Sequence, residues 1–157
     1  MEARMDLFSN PVAAKSLKYL VSAGKALGET TLPRKTQELV RLRGGQINGC
    51  GACVDIHTKE AAADGETAVR LHLVAVWREA TVFTPAERAA LALAEEGTRL
   101  ADNTGVSDEV WANATKHYDE AQLGALVALI ANINAFNRLN VITRQPGGEY
   151  RAGQYVV

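Results

Sequence analysis

Apolar residues recur at three- and four-residue spacing along nearly the whole chain, and no run alternates apolar with polar residues between turn signals. This pattern confines the chain to helices packed on helices, because a helix buries a stripe of period 3.6 whereas a half-buried strand needs a period of two. We therefore expect an all-α protein. Its 157 residues suit one domain spanning 1–157, with the organised core at about 10–144. With 47% hydrophobic and 22% charged residues, the composition is that of a globular chain rather than a disordered one.

The boundaries follow from cap chemistry. Asn10-Pro11 offers an N-cap followed by proline at the first helical position, and that helix runs to Gly28. A second helix extends from about Pro33 to Gly45, with Leu39, Val40 and Leu42 on or near one face. Gly44-Gly45-Gln46-Ile47-Asn48-Gly49 is expected to break it, since three glycines in six residues weaken any helix through them. A third helix then covers Cys50 to Ala63, and helical pattern continues from Glu66 to about Trp77. Thr84-Pro85-Ala86-Glu87 is a capping box that starts a helix running towards Asp102. Ser107 opens another helix, and Asp119 with Gln122 opens the longest, which ends at Arg144 before Pro146-Gly147-Gly148. The polar tail from Gln145 is expected to be poorly ordered unless it docks.

Charge and apolar runs exclude several classes. Lys+Arg 17 against Asp+Glu 18 gives a net charge of −1, which leaves no basic surplus for nucleic-acid binding. Met1 to Asn10 lacks the apolar core of a signal peptide, and no uncharged apolar run reaches the length expected of a membrane span. Two cysteines are too few for a disulfide-stapled secreted domain. We expect a cytoplasmic protein in which a close pair of thiols can cycle, with neither a membrane nor a nucleic acid as partner.

Both cysteines lie in Cys50-Gly-Ala-Cys53-Val-Asp-Ile-His57. At about 100° per residue, Cys53 falls roughly 60° and His57 roughly 20° from Cys50, so the three share one helix face. The expected helix start favours a thiolate at Cys50 through its unpaired N–H groups. A histidine four residues beyond Cys53 is placed to exchange a proton with that thiol directly or through water. Two thiols one turn apart can also close a disulfide if the local geometry permits. Taken singly, each cysteine would pass for a small buried hydrophobe and the histidine for a core residue; together they form a redox constellation.

With Glu38 twelve residues before Cys50, the pattern Glu38-x11-Cys50-x2-Cys53-x3-His57 resembles the signature of the AhpD-like alkylhydroperoxidases in the carboxymuconolactone decarboxylase family. Glu38-Leu-Val-Arg-Leu-Arg, Ile47-Asn48-Gly49-Cys50, Trp77-Arg78-Glu79 and Ile133-Asn134-Ala135-Phe136-Asn137-Arg138 extend the resemblance over about residues 10–144. It implies an all-helical fold assembled as a homotrimer or homohexamer, and a thiol-dependent peroxidase or disulfide reductase acting on hydroperoxides. It further implies that Cys50 and Cys53 are the redox pair, that Glu38 and His57 form a proton relay, that no cofactor is bound, and that an external dithiol or dithiol protein supplies electrons. Proximity to His57 favours Cys53 as the attacking thiol, whereas the helix terminus favours Cys50. Ala52 departs from well-known members that carry a histidine there, which leaves His57 alone in the relay.

Other functions fit the residues less well. Cys50, Cys53 and His57, with Glu38, are a conceivable zinc set, but no second Cys or His pair completes the usual structural site. Lactone decarboxylation requires no dithiol. Val54 after Cys53 excludes the haem-attachment motif, and the glycines around Cys50 follow no strand–turn–helix phosphate pattern. His72 and His117 are expected at the surface or in structural roles, and Trp77 in packing. Asn134 and Asn137, one turn apart, are expected to make structural hydrogen bonds.

Overall fold

Helix starts in the computed structural model, which describes residues 2–102 and 104–154, fall where capping side chains stand. Asn10 accepts hydrogen bonds from the Val12 and Ala13 N–H groups and opens α1 (Pro11–Gly28). Thr84 and Asp119 each form a capping box, opening α5 (Pro85–Thr98) and α7 (Glu120–Thr143). Between them lie α2 (Arg34–Ile47), α3 (Gly51–Ala63), α4 (Ala68–Leu73) and α6 (Asp108–Ala114). The stretch expected to be helical over 66–77 divides into α4 and a short 3-10 turn, Val74–Val76. No strand occurs among the described residues.

α2 is the centre of the fold and packs against α3, α5 and α7. Leu39 and Leu42 meet Leu71, Val74, Trp77 and Leu91 on one side, while Val40 meets Leu93, Leu126 and Leu129 on the other. Burial extends unbroken from Thr36 to Gly45, polar residues included. A helix enclosed on all sides must pair its polar groups internally, and this one does: Gln37 donates to the Leu27 and Leu32 carbonyls, and Glu38, Arg41 and Arg43 all enter ion pairs.

The expected break within Gly44–Gly49 falls at the far end of that stretch. Helix α2 continues through both glycines to Ile47, and the chain turns at Asn48-Gly49, where Gly49 adopts φ +66°. The two glycines serve close packing. A Cβ on Gly44 would stand 3.2 Å from Ile133 Cγ2, and one on Gly45 3.3 Å from Val54 Cγ2. Their absence lets α7 and α3 approach the α2 backbone, and this contact offsets a helix-propensity cost of about 1 kcal/mol per glycine. Similarly, α5 ends at Thr98, short of Asp102.

α7 is long and apolar enough, by length and composition alone, to cross a membrane. Its position is that of a core helix: Leu126, Leu129 and Ile133 are almost wholly buried, and Asn134 and Asn137 make hydrogen bonds inside the fold. Beyond its left-handed cap at Arg144 (φ 56°) the tail docks on α3. Asp55 accepts hydrogen bonds from the Gly148 and Tyr150 N–H groups at 2.7 and 3.1 Å, while Lys59 Nζ donates to the Gly148 and Tyr150 carbonyls at 3.0 and 2.7 Å. Burial pushes the Asp55 carboxyl up, but Lys59 and the two N–H groups outweigh it and hold the group below 3.8. Gly147 lies directly on the α3 start, where an added Cβ would stand 2.5 Å from Gly51 O.

Candidate functional site

The Asn48-Gly49 turn delivers Cys50 to the N-cap of α3, where its Sγ accepts a hydrogen bond from the Cys53 N–H at 3.3 Å. Cys50 and Cys53 are joined by a disulfide, with Cα atoms 5.3 Å apart. Both are buried, at 1% and 2% exposure, and with Ile133 of α7 they form a small apolar cluster flanked by Ala52 and Phe136. The turn before them is fixed by a polar network. Asn48 Nδ2 donates to Asn137 Oδ1 at 2.8 Å and to Asn134 Oδ1 at 3.0 Å, and Asn134 in turn donates to Thr98 Oγ1. Asn134 and Asn137 thus take the structural role expected of them.

One turn beyond Cys53, His57 Nδ1 lies 2.9 Å from Glu38 Oε2. The other carboxylate oxygen, Oε1, accepts from Arg41 at 2.6 Å. Glu38 is 3% exposed, so burial pushes its carboxyl up; the hydrogen bond and charge of His57 and the charge of Arg41 outweigh that, and the group lies below its ordinary 4.5. An ionised carboxylate held in this way orients the imidazole ring. The α2–α3 contact therefore brings together two of the sequence-selected residues, nineteen positions apart.

A cavity of about 670 Å³ opens beside this pair. Cys53, His57, Glu38 and Arg41 line it, together with Phe136 and Asn140 of α7, whereas Cys50 does not. The docked tail supplies part of its wall through Pro146, Gly147 and Tyr150. Of the two cysteines, Cys53 therefore lines the space and Cys50 does not.

Sequence reasoning missed three contributors. Arg41 was discoverable, since it stands one turn from Glu38 on the same helix. Asn140 donates from Nδ2 to Cys53 Sγ at 3.3 Å; its only sequence signal is a carboxamide seven residues after Ile133, on the stripe of α7 that meets the cysteines. The tail gave no signal, because its docking depends on Asp55 and Lys59 across the fold. His72 and His117 are exposed as expected, and Trp77 is buried in the core away from this cavity.

The zinc set is not assembled in this disulfide state: the two sulfurs are bonded to each other and His57 Nδ1 faces Glu38. Among the described residues, no group of three or more His, Cys, Asp or Glu side chains is placed to hold a metal ion.

Residues 14–96 match the Carboxymuconolactone decarboxylase family. The chain is 36% identical over 130 residues to the uncharacterized protein YdfG of Bacillus subtilis strain 168, covering 83% of this chain and 88% of that protein. It is similar to the crystal structure of a protein of unknown function from Agrobacterium tumefaciens, provisionally described as the antioxidant defence protein AhpD. The TM-score is 0.88 at 27% identity, over 95% of this chain and all 100% of that one. The fold also matches that of the debrominase Bmp8, with a TM-score of 0.78 at 19% identity over 91% of this chain and 75% of that chain.

Proposed function

The chain belongs to the carboxymuconolactone decarboxylase family, as an AhpD-like member, and from that premise we propose that it is a thiol-dependent peroxidase that reduces hydroperoxides through Cys50 and Cys53. One observation carries this reading: of a cysteine pair closed as a disulfide, Cys53 lines a cavity that the His57–Glu38 pair also lines. The cycle starts from the oxidised state. An external dithiol exchanges with the Cys50–Cys53 disulfide, becomes oxidised itself, and leaves both cysteines reduced. Cys53, its proton taken by His57, attacks one oxygen of the hydroperoxide as a thiolate. The O–O bond breaks, and the departing alkoxide takes the proton back from His57 and leaves as an alcohol. Cys53 is now a sulfenic acid; Cys50 condenses with it, water is released, and the disulfide returns. Two electrons pass from the dithiol to the peroxide in each turn.

Glu38 serves by remaining ionised. Its carboxylate holds His57 in place and favours the imidazolium that forms when Cys53 loses its proton, while Arg41 keeps the carboxylate itself from protonating. The position of Cys53 on the cavity supports it, over Cys50, as the attacking sulfur. The test is peroxide-dependent turnover with a dithiol donor in Cys50→Ser and Cys53→Ser. Both variants are expected to lose it, and unchanged turnover in both contradicts the function.

Self-association belongs to the same proposal. Val12 and Tyr19 on α1 and Ile142 on α7 are 78%, 64% and 65% exposed, leaving apolar surface on the outer helices. Sedimentation velocity is expected to give a trimer or hexamer, and a monomer contradicts this part. A cytoplasmic setting, where thiols are kept reduced, suits such a cycle.

A further inference from the structure

Asn140 is an unusual choice for its position. It lies within the last turn of α7, where asparagine is a poorer helix former than alanine or leucine. Its neighbours on the same stripe, Ile133 and Phe136, are apolar and pack against the two cysteines. The carboxamide lines the cavity and donates from Nδ2 to Cys53 Sγ at 3.3 Å. None of the hydrogen bonds that link Asn48, Asn134, Asn137 and Thr98 involves it.

We propose that Asn140 is a catalytic residue that stabilises the Cys53 thiolate through its carboxamide N–H, a role that rests on the peroxidase reading of the same site. A hydrogen bond to an ionised acceptor is stronger than one to a neutral acceptor. The bond drawn to the disulfide sulfur therefore strengthens when exchange with an external dithiol releases Cys53 as a thiolate. Asn140 favours the reduced, ionised state over both the neutral thiol and the disulfide. Two consequences follow: it raises the thiolate fraction available for attack on peroxide, and it makes the disulfide easier to reduce.

The charges around the cavity separate this role from the relay. On α3 the titratable side chains lining it are Asp55, His57 and Glu60; α2 brings Arg34, Glu38 and Arg41, and the tail brings Glu149 and Tyr150. The described lining residues of α1 and α7 include no titratable side chain. Asn140 is thus a neutral donor reaching the sulfur from a helix that carries no charge to it, and changing it leaves every cavity charge in place.

The experiment titrates Cys53 in the full chain with Cys50→Ser, following thiolate absorbance in the ultraviolet, with Asn140 intact, Asn140→Leu and Asn140→Asp. Leucine keeps the volume and removes the donor; aspartate replaces it with a negative charge. The expected order is a Cys53 titration moved upward by leucine, about tenfold less thiolate at a given pH below it, and further upward by aspartate. Thermal unfolding of the three proteins shows whether each is folded when titrated. A packing role would lower stability without producing that order. Coincident titrations in folded asparagine and leucine proteins overturn the proposal, as does a downward shift in the aspartate variant. Peroxide turnover by otherwise wild-type protein is measured alongside: its absence, with the ordered shift present, removes the peroxidase reading and leaves Asn140 as a thiolate donor.

Discussion

Helix α2 carries ionic partners into two buried carboxylate clusters, and their difference separates structure from chemistry. Glu95 of α5 accepts from Arg43 Nε at 2.7 Å and from the Trp77 indole N–H at 3.0 Å, and also pairs with Arg78. Arg78 and Arg88 stack on the Trp77 ring, 4.4 and 5.2 Å from its centre. Glu38 of α2 is equally buried, yet one of its oxygens meets an arginine and the other a histidine that faces a cavity with a sulfur. Burial raises both carboxyls and their partners more than restore them, so both lie below 4.5. A lowered carboxyl pKa therefore does not mark the cluster proposed to be functional. What distinguishes Glu38 is a titratable partner and access to space, whereas every partner of Glu95 is a fixed cation or an indole.

The largest expected difference comes from removing each carboxylate. Glu95→Ala leaves Arg43 and the Trp77 N–H buried without their acceptor and is expected to lower unfolding free energy by about 3–5 kcal/mol in urea titrations. Turnover per folded molecule should stay within a few-fold of wild type. Glu38→Gln is expected to do the reverse: turnover falls on the order of 10²-fold, the scale of a lost proton-transfer contribution, with the smaller stability loss of the two. If Glu95→Ala costs turnover per folded molecule as heavily as Glu38→Gln does, the two clusters are not distinct in the way described.

A smaller effect should touch only the cysteine side. Gly147→Ala forces the tail off Gly51 O and is expected to cost about 1–3 kcal/mol by overpacking. It should also speed reduction of the Cys50–Cys53 disulfide by a small dithiol by a few-fold, because the tail walls the cavity. The Glu95 cluster should be unaffected, as judged by Trp77 fluorescence.

The smallest expected effect is on the acid limb of stability. Because the folded carboxyls lie below 4.5, their contribution is fully present above the unfolded value and is lost as pH falls through the lowered folded values. Between about pH 5 and pH 3, Glu38→Gln and Glu95→Gln should each flatten the dependence of unfolding free energy on pH by up to about one proton. A steeper slope in either variant contradicts the assigned direction.

Much of this was legible in the sequence because it is local. Caps at Asn10, Thr84, Ser107 and Asp119 act within one turn, and the placing of Cys53 and His57 one turn apart on α3 follows from helical periodicity, while Cys50 caps that helix. Glu38 needed its family spacing, since by itself it reads as a solvated carboxylate on a polar helix. Its 3% exposure arises because α3, α5 and α7 enclose α2, and no property of the α2 sequence reports what surrounds it. The same reason explains Gly44-Gly45, where propensity weakens the helix and tertiary contact with Ile133 and Val54 carries it two residues further, to Ile47. Asn140 and the tail escaped detection because their partners, Cys53, Asp55 and Lys59, lie 87 to 95 residues away in the chain.

The most direct test of the account is a thiol count on the reduced protein before and after one equivalent of an organic hydroperoxide, in wild type, Glu38→Ala and His57→Ala. The account predicts that wild type loses both of its thiols, and that both variants lose them on the order of 10²-fold more slowly. No peroxide-dependent loss in wild type contradicts the peroxidase cycle, and equal rates in all three contradict the relay.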